Sequence, residues 1–450
     1  MQKGGKNITD FRLEITENIN YELETTEFHR DTTDGREKKL FIRKRELTLK
    51  NVILLIMSLQ SAVQRDLDRF FSKLDSSSYT IRKASKSAFS QARAKINEKG
   101  FIRLNQVVVN TFYKRDVAKL WKNHRLVGVD GTRLMLPNHP TIKEEFGTCK
   151  FGPKSDSERS MATGSMLFDV LNQITLDARL SPYKQTNRKS AGERFLLEQH
   201  LPSLQEGDLL IMDRGYPSIV LFFLLMTRGI DFCARMKTGW WKVVREFRDS
   251  GETERIVNLS LPKSQKGKLK DFPEWADKAI KCRLIRVELD NRELEILCTS
   301  LTDSDKYPHD EFKALYHLRW NHEEAYKLLK NRIELEDFSG KTANAVKQDF
   351  HAKIFLLSLT AAYAHPVEER VRAEFRADEK RKHSQKINRT NAIAATKDIL
   401  IAMFIKRQYC KAISAFDELV YRTRELIRPN RKFERKKKSK KAYSMNYKRL

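Results

Sequence analysis

Residues 316–330 read YHLRWNHEEAYKLLK, and this stretch decides how the rest of the chain is understood. Tyr316, Arg319, Glu323 and Lys330 stand at offsets of 0, 3, 7 and 14 residues. At about 100° per residue on an α-helix these fall at roughly 0°, 300°, 340° and 320°, so a stripe about 60° wide carries all four side chains. Glu324 is rotated about 100° further and points off the stripe. A carboxylate so placed can hold a hard metal ion, while Arg, Lys and Tyr can grip phosphate oxygens. Taken alone, the same pattern also describes a solvated helix face braced by an Arg319–Glu323 pair.

Two further acids bear on that choice. Asp130 ends the apolar run LVGVD and Asp213 ends LLIMD. Both stand at the carboxyl end of a hydrophobic strand and precede a turn, at Gly131 and at Arg214-Gly215. Ligand sites of α/β sheets favour that location, and an unpaired carboxylate on a buried strand tip is costly. Each alone could be an ordinary turn or cap aspartate. Together with Glu323 they make a set of carboxylates of the kind that two-metal phosphodiester chemistry requires. Asp169 and Asp177 lie on extended segments without that context and read as structural.

Composition narrows the partner. The chain has 450 residues, 40% hydrophobic, and 87 Lys/Arg against 59 Asp/Glu give a net charge of +28. The length suffices for two or three domains with a sizeable core, and the charge implies a polyanion, nucleic acid first. The apolar runs 219–226 and 354–357 are too short to span a bilayer, and MQKGGKNITD carries no signal-peptide core. The five cysteines form no CxxC pair, which points away from a zinc site or disulfide framework and toward a reducing cytoplasm.

The texture of the chain suggests its organisation. Residues 1–45 are polar and read as a flexible arm. A helix is expected over 48–74, a short basic helix over 83–96 and another over 100–113, so 46–120 reads as a helical DNA-binding domain with Lys83, Lys86, Arg93 and Lys95 toward DNA. An ordinary helical bundle with a basic face fits the same pattern. From 125 the pattern becomes α/β: RLVGVDGTRLMLP reads as strand, Gly turn and strand, followed by two extended segments, a helix near 190–200, the strand ending at Asp213, a buried helix and the strand DFCARMK. Residues 239–305 read as four strands (WWKVVREF, ERIVNLSL, CRLIRVEL, RELEILCTSL), a β-rich insertion. Helix returns over 308–331 and 344–363, with a core at 121–238 and 306–365, a helical basic region at 366–428 and a tail at 429–450. That tail holds ten Lys/Arg and one acid, the composition of a nonspecific nucleic-acid tether.

The chain resembles DDE transposases of bacterial insertion sequences, those of insertion-sequence family four above all. VDGT supplies the first acid, Asp130, and MDRGY the second, Asp213. Tyr316, Arg319, Glu323 and Lys330 match the third signature without a gap, and AFSQARAKI and IELEDFSGKT are also similar. The resemblance runs over roughly residues 80–450. It implies a ribonuclease-H-like mixed sheet with the insertion between the second and third acids, and a helical domain on each side of the core. It also implies that Asp130, Asp213 and Glu323 bind two Mg²⁺ ions, with Mn²⁺ as a substitute, and that cut-and-paste transfer passes through a DNA hairpin. Tyr316, Arg319, Lys330 and Arg214 would then hold DNA near the element's end. Trp240 or Trp241 would stack on a flipped base, and Trp320 would pack in the core. The implied partners are terminal inverted repeats, target DNA and further copies of the chain in a synaptic complex, on the nucleoid of a bacterial cytoplasm and without a membrane. A catalytically silent regulator, a ribonuclease-H-like nuclease and a basic nucleoid protein are the competing readings.

Overall fold

The computed structural model describes residues 6–43, 45–150, 158–185, 190–289, 293–378 and 382–427. The basic tail lies outside them. The chain forms two compact units, one of Met1–Ala118, Leu134–Ala162 and Lys327–Leu450, the other of Lys119–Arg133 and Thr163–Tyr326.

The first unit is mostly helical: α1 (Lys6–Glu22), α2 (Thr26–Thr32), α3 (Leu49–Ser58), α4 (Val63–Leu74), α5 (Lys86–Arg93), α6 (Lys99–Tyr113), α7 (Pro140–Phe146), α13 (Ala343–Ala377), α14 (Arg389–Phe404) and α15 (Tyr409–Arg422). Two-residue strands β2 (Cys149–Lys150) and β3 (Glu158–Arg159) pair with each other, as do β11 (Gln385–Lys386) and β12 (Glu425–Leu426). The expected flexible arm is corrected here. Phe11, Ile15, Ile19 and Leu23 recur every four residues and are all buried, a helical stripe that the charged residues between them conceal. Arg12 pairs with Asp417 at 2.6 Å, and the hydroxyls of Thr16 and Tyr363 meet at 2.6 Å. The single helix expected over 48–74 is two. Asp66, in the first turn of α4, accepts the backbone N–H groups of Gln60 and Ser61 at 2.7 and 2.8 Å, which holds the link between the two helices in a non-helical turn.

The second unit is built on an eight-stranded sheet. Its strands are β1 (Arg125–Met135), β4 (Met161–Asp169), β5 (Ile174–Pro182), β6 (Asp208–Met212), β7 (Asp231–Arg235), β8 (Glu254–Ser260), β9 (Ala279–Glu288) and β10 (Leu294–Thr299), in the order β5-β4-β1-β6-β7-β10-β9-β8. β1, β6 and β7 run parallel, whereas β10 is antiparallel to both β7 and β9, and β8 to β9. β4 and β6 are buried along their whole length, as sheets covered on both faces are. Helices α8 (Glu193–His200), α9 (Ile219–Met226), α10 (Lys242–Ser250), α11 (Glu311–His317) and α12 (Trp320–Lys327) complete the unit, apart from the last residue of α12, the last two of β1 and the first two of β4, which fall in the first unit. This is the mixed α/β sheet with helices that the resemblance implied.

Three local expectations are corrected. The strand–turn–strand around Gly131 is one continuous strand, β1. WWKVVREF is helical rather than extended: Val244 and Phe247, three apart, are buried, and Gly251 ends α10 at φ 77°. Short apolar runs do not separate the two periods. The other three segments of 239–305 are strands, and they continue the core sheet outward from β7. Finally, the helix over 308–331 is interrupted at Leu318-Arg319 and widens into a π-helical turn at Leu328–Arg332. The 100° arithmetic therefore does not carry from Tyr316 to Lys330.

Candidate active site

Parallel pairing aligns Val129 with Met212, so the next residues, Asp130 and Asp213, stand side by side, Asp213 just past the end of β6 and Asp130 within β1, which runs on to Met135 and not into the expected turn. Neighbouring strands lie about 4.8 Å apart. Glu323 reaches them on α12. That helix packs on β1 where Gly128 leaves room: a Cβ there would lie 3.1 Å from His322 Nδ1. His322 is fully buried, stacks with Tyr326 at 5.1 Å and is held neutral, its imidazole pushed down to about 3 by burial and by Arg319. Tyr326 donates to the backbone oxygen of Asp130 at 2.8 Å. These contacts hold the helix that bears Glu323 against β1 at Asp130.

Arg319 joins the acids. Its Nη2 donates to Glu323 Oε1 at 2.9 Å and its Nη1 lies 3.9 Å from Asp130 Oδ2. Tyr316 donates to Asp213 Oδ1 at 3.5 Å, and Arg235 Nη1 is 4.0 Å from the same oxygen. Arg235 also pairs with the buried Glu295 at 2.9 Å. Burial pushes Asp130 up to about 6, assisted by the nearby Glu193 and Asp213 and opposed by the Gly131 N–H and Arg319. Burial likewise raises Tyr316 well above the ordinary phenol range. Glu193 is raised too, by burial first, against the pull of Arg133.

The donor set suits hard divalent cations. Crowded carboxylate oxygens, one of them raised by burial, are what such an ion relieves. Among the described residues no three His, Cys, Asp or Glu groups are yet close enough to share one ion. The Arg319 guanidinium lies between Asp130 and Glu323.

The other sequence candidates divide. Lys330 belongs to the first unit, half-buried, its amine lowered by burial against the opposing pull of Glu336. Arg214 is exposed. Trp240 is 59% exposed with Lys237 Nζ 3.7 Å above its ring, whereas Trp241 packs edge-on against Phe222 at 5.7 Å. Trp320, expected in the core, is 46% exposed and stacks on His317. In the first unit Lys95 is exposed, Lys86 half-buried, and Lys83 is exposed but paired with Asp75 at 2.6 Å. Arg93 is corrected: it is buried and bonds Asp349 at 3.0 Å, Gln348 at 2.9 Å and Ser339 at 2.7 Å, facing inward rather than toward DNA. Asp177 and Asp169 are structural, bonded to His200 and to the turn at Leu171-Asn172. Sequence reasoning missed Glu193, Tyr216, Arg235 and Tyr326. Arg235 could have been found, since it ends the apolar run DFCAR as the two aspartates end theirs.

Residues 121–359 match the family described as the transposase DDE domain, more than half of the chain. The chain belongs to that family. It is 22% identical over 294 residues to transposase InsG for insertion sequence element IS4 of Escherichia coli, covering 65% of this chain and 64% of that protein. It is also 22% identical over 171 residues to the putative transposase InsZ of the same organism, covering 37% and 54%. The match thus spans just under two-thirds of the first relative's length and about half of the second's. Among solved structures, the chain is similar to a piggyBac transposase seen in a synaptic complex with hairpin DNA, at a TM-score of 0.45 and 10% identity, covering 89% of this chain and 85% of that one.

Proposed function

We propose that this DDE-family protein is a transposase that binds the ends of a mobile DNA element, cuts them in a metal-dependent reaction and joins them to target DNA. The observation that carries this reading is the pairing of Val129 with Met212, which sets Asp130 and Asp213 side by side, with Glu323 brought to them by α12. Asp130, Asp213 and Glu323 would hold two divalent cations, Mg²⁺ or Mn²⁺, which when bound supply an activated oxygen nucleophile and stabilise the leaving oxygen.

The chain's own residues do the rest. Asp130 must release its proton for the site to fill. Arg319, released from Glu323, is free to turn its planar donor fork on the scissile phosphate. Tyr316 and Arg235 flank Asp213 and donate toward the same place. Trp240, exposed and capped by Lys237, offers a stacking face for an extruded base. Lys330, Arg214, Lys83, Lys86 and Lys95 are proposed backbone-phosphate contacts. A synaptic assembly of at least two copies follows from the need to join two ends. No helix among the described residues is long and apolar enough to cross a membrane, and we place the protein in the bacterial cytoplasm on the nucleoid.

The test is cleavage of a labelled duplex carrying the element's own end, with and without Mg²⁺, in wild type and Glu323→Gln. Metal-dependent cutting at the end, lost in the variant while binding persists, supports the proposal. Binding without cutting in the wild type points to a silent regulator, and cutting indifferent to the end sequence to a general nuclease.

A further inference from the structure

We propose that Glu193 is a fourth acid of the cation site, working beside Asp130 and Asp213. The inference rests on the transposase reading above and deepens it. Gly131 follows Asp130, and a Cβ built on it would lie 2.7 Å from both Cγ and Oε1 of Glu193. Gly215 stands two residues after Asp213, and its Cβ would lie 3.7 Å from Glu193 Oε2. One carboxyl therefore reaches both the β1 segment after Asp130 and the loop after Asp213, across two glycines that leave it room.

The position of Glu193 is fixed from both ends of α8. Its neighbour Arg194 donates from Nε to the Gly215 carbonyl at 3.0 Å and from Nη2 to that of Pro217 at 3.5 Å, which ties the helix start to the loop after Asp213. Seven residues on, two turns along the same face, His200 contacts Asp177 Oδ2 at 2.9 Å and Ser165 Oγ at 3.0 Å. Ser165 and His200 are fully buried and Asp177 is 5% exposed. Ser, His and Asp so arranged resemble a nucleophile triad, but no substrate can reach a buried Ser165, and the network serves to anchor α8 on β4 and β5.

A second observation points to a ligand. Tyr216 is 1% exposed, and its hydroxyl has no hydrogen-bond partner among the described residues. It lies in the field of Glu193, Asp130 and Asp213. Leaving a buried hydroxyl unpaired is costly, and a water or phosphate oxygen bound among these acids would satisfy it. Hard cations need more oxygen ligands than three side chains provide, and groups that hold a cation's bound water tune its affinity strongly.

The test is a Mn²⁺ titration of the full chain, read from the electron paramagnetic resonance of free Mn²⁺. Glu193→Gln is expected to weaken binding about tenfold, while Glu198→Gln, exposed on the same helix, leaves it unchanged. Gly131→Ala, which displaces the Glu193 side chain, should weaken binding as much and add nothing on top of Glu193→Gln. Should Glu193→Gln fail to fold, Glu193→Asp replaces it, with the same direction expected. Wild-type affinity in Glu193→Gln alongside loss in Asp130→Asn overturns the fourth acid and leaves the three-acid reading intact. A wild type that takes up no Mn²⁺ overturns both.

Discussion

Arg319 donates to Glu323 across one helical turn, Nη2 to Oε1 at 2.9 Å, while its second terminal nitrogen lies 3.9 Å from Asp130. One guanidinium thus faces two of the three candidate acids. On the function proposed above, a cation held by those acids would compete with Arg319 for the same oxygens, so filling the site would free the arginine for phosphate.

Glu323→Gln removes a charged ligand but keeps a neutral acceptor for Arg319. Cleavage of a labelled element end should fall by about a thousandfold, since metal stabilisation of the reacting oxygens contributes several kcal/mol. Affinity for the end, measured by gel shift without metal, should stay within about threefold, because the phosphate-contacting cations are untouched.

Asp130 makes stability depend on pH in a defined sense. Burial raises its pKa from 3.8 to about 6, so between those values the native state binds more protons than the unfolded chain. Stability therefore falls as pH rises from about 4 to 6, and the full cost, on the order of 3 kcal/mol, persists above. Asp130→Asn escapes that cost. Urea unfolding should find the variant more stable at pH 8, with the advantage gone by about pH 3.5. Metal-dependent cleavage by the wild type should fall as pH drops through 6, where the ligand becomes protonated.

Arg93 is a stability residue. Arg93→Ala leaves Asp349 buried without its cation and should cost about 3–5 kcal/mol in chemical denaturation. At a temperature where the variant is folded, the salt dependence of its DNA affinity should match the wild type. Lys95→Ala reverses the pattern: stability is unchanged and the slope of log affinity against log salt drops by about 1.

Trp240 and Trp241 should separate. Trp240→Ala removes an exposed ring and is expected to weaken binding of an end with an extrudable base by about 1–3 kcal/mol, without lowering the melting temperature. Trp241→Ala loses its packing on Phe222 and should lower the melting temperature. A 2-aminopurine base at the end, bright when unstacked, reads which tryptophan replaces the lost stacking.

Much of the site was legible before any coordinates. Asp130, Asp213 and Glu323 stand out because a carboxylate directly after a buried apolar run, or among cations on a helix, is expensive unless used. Arg93 misled because a basic residue on a short helix looks alike whether it faces water or a buried carboxylate. Its partners Gln348 and Asp349 are more than 250 residues away. Residues 1–45 misled because their polar content masks the four-residue recurrence from Phe11 to Leu23. The first strand expected in the insertion misled because Trp241, Val244 and Phe247 satisfy a helical period within too short a run to exclude a strand.

By itself, the sequence determined the buried apolar runs that lead into Asp130 and Asp213 and the four-residue spacing of Arg319 and Glu323. All are local: residue type, period and neighbours suffice. Only the tertiary structure decided that β1 and β6 are adjacent and parallel, that Arg319 bridges two acids 193 positions apart, and that Glu193, on a helix with no marking of its own, sits between Gly131 and Gly215. Those facts depend on backbone pairing and on side-chain volume brought together from distant segments, and no local pattern encodes where such segments meet.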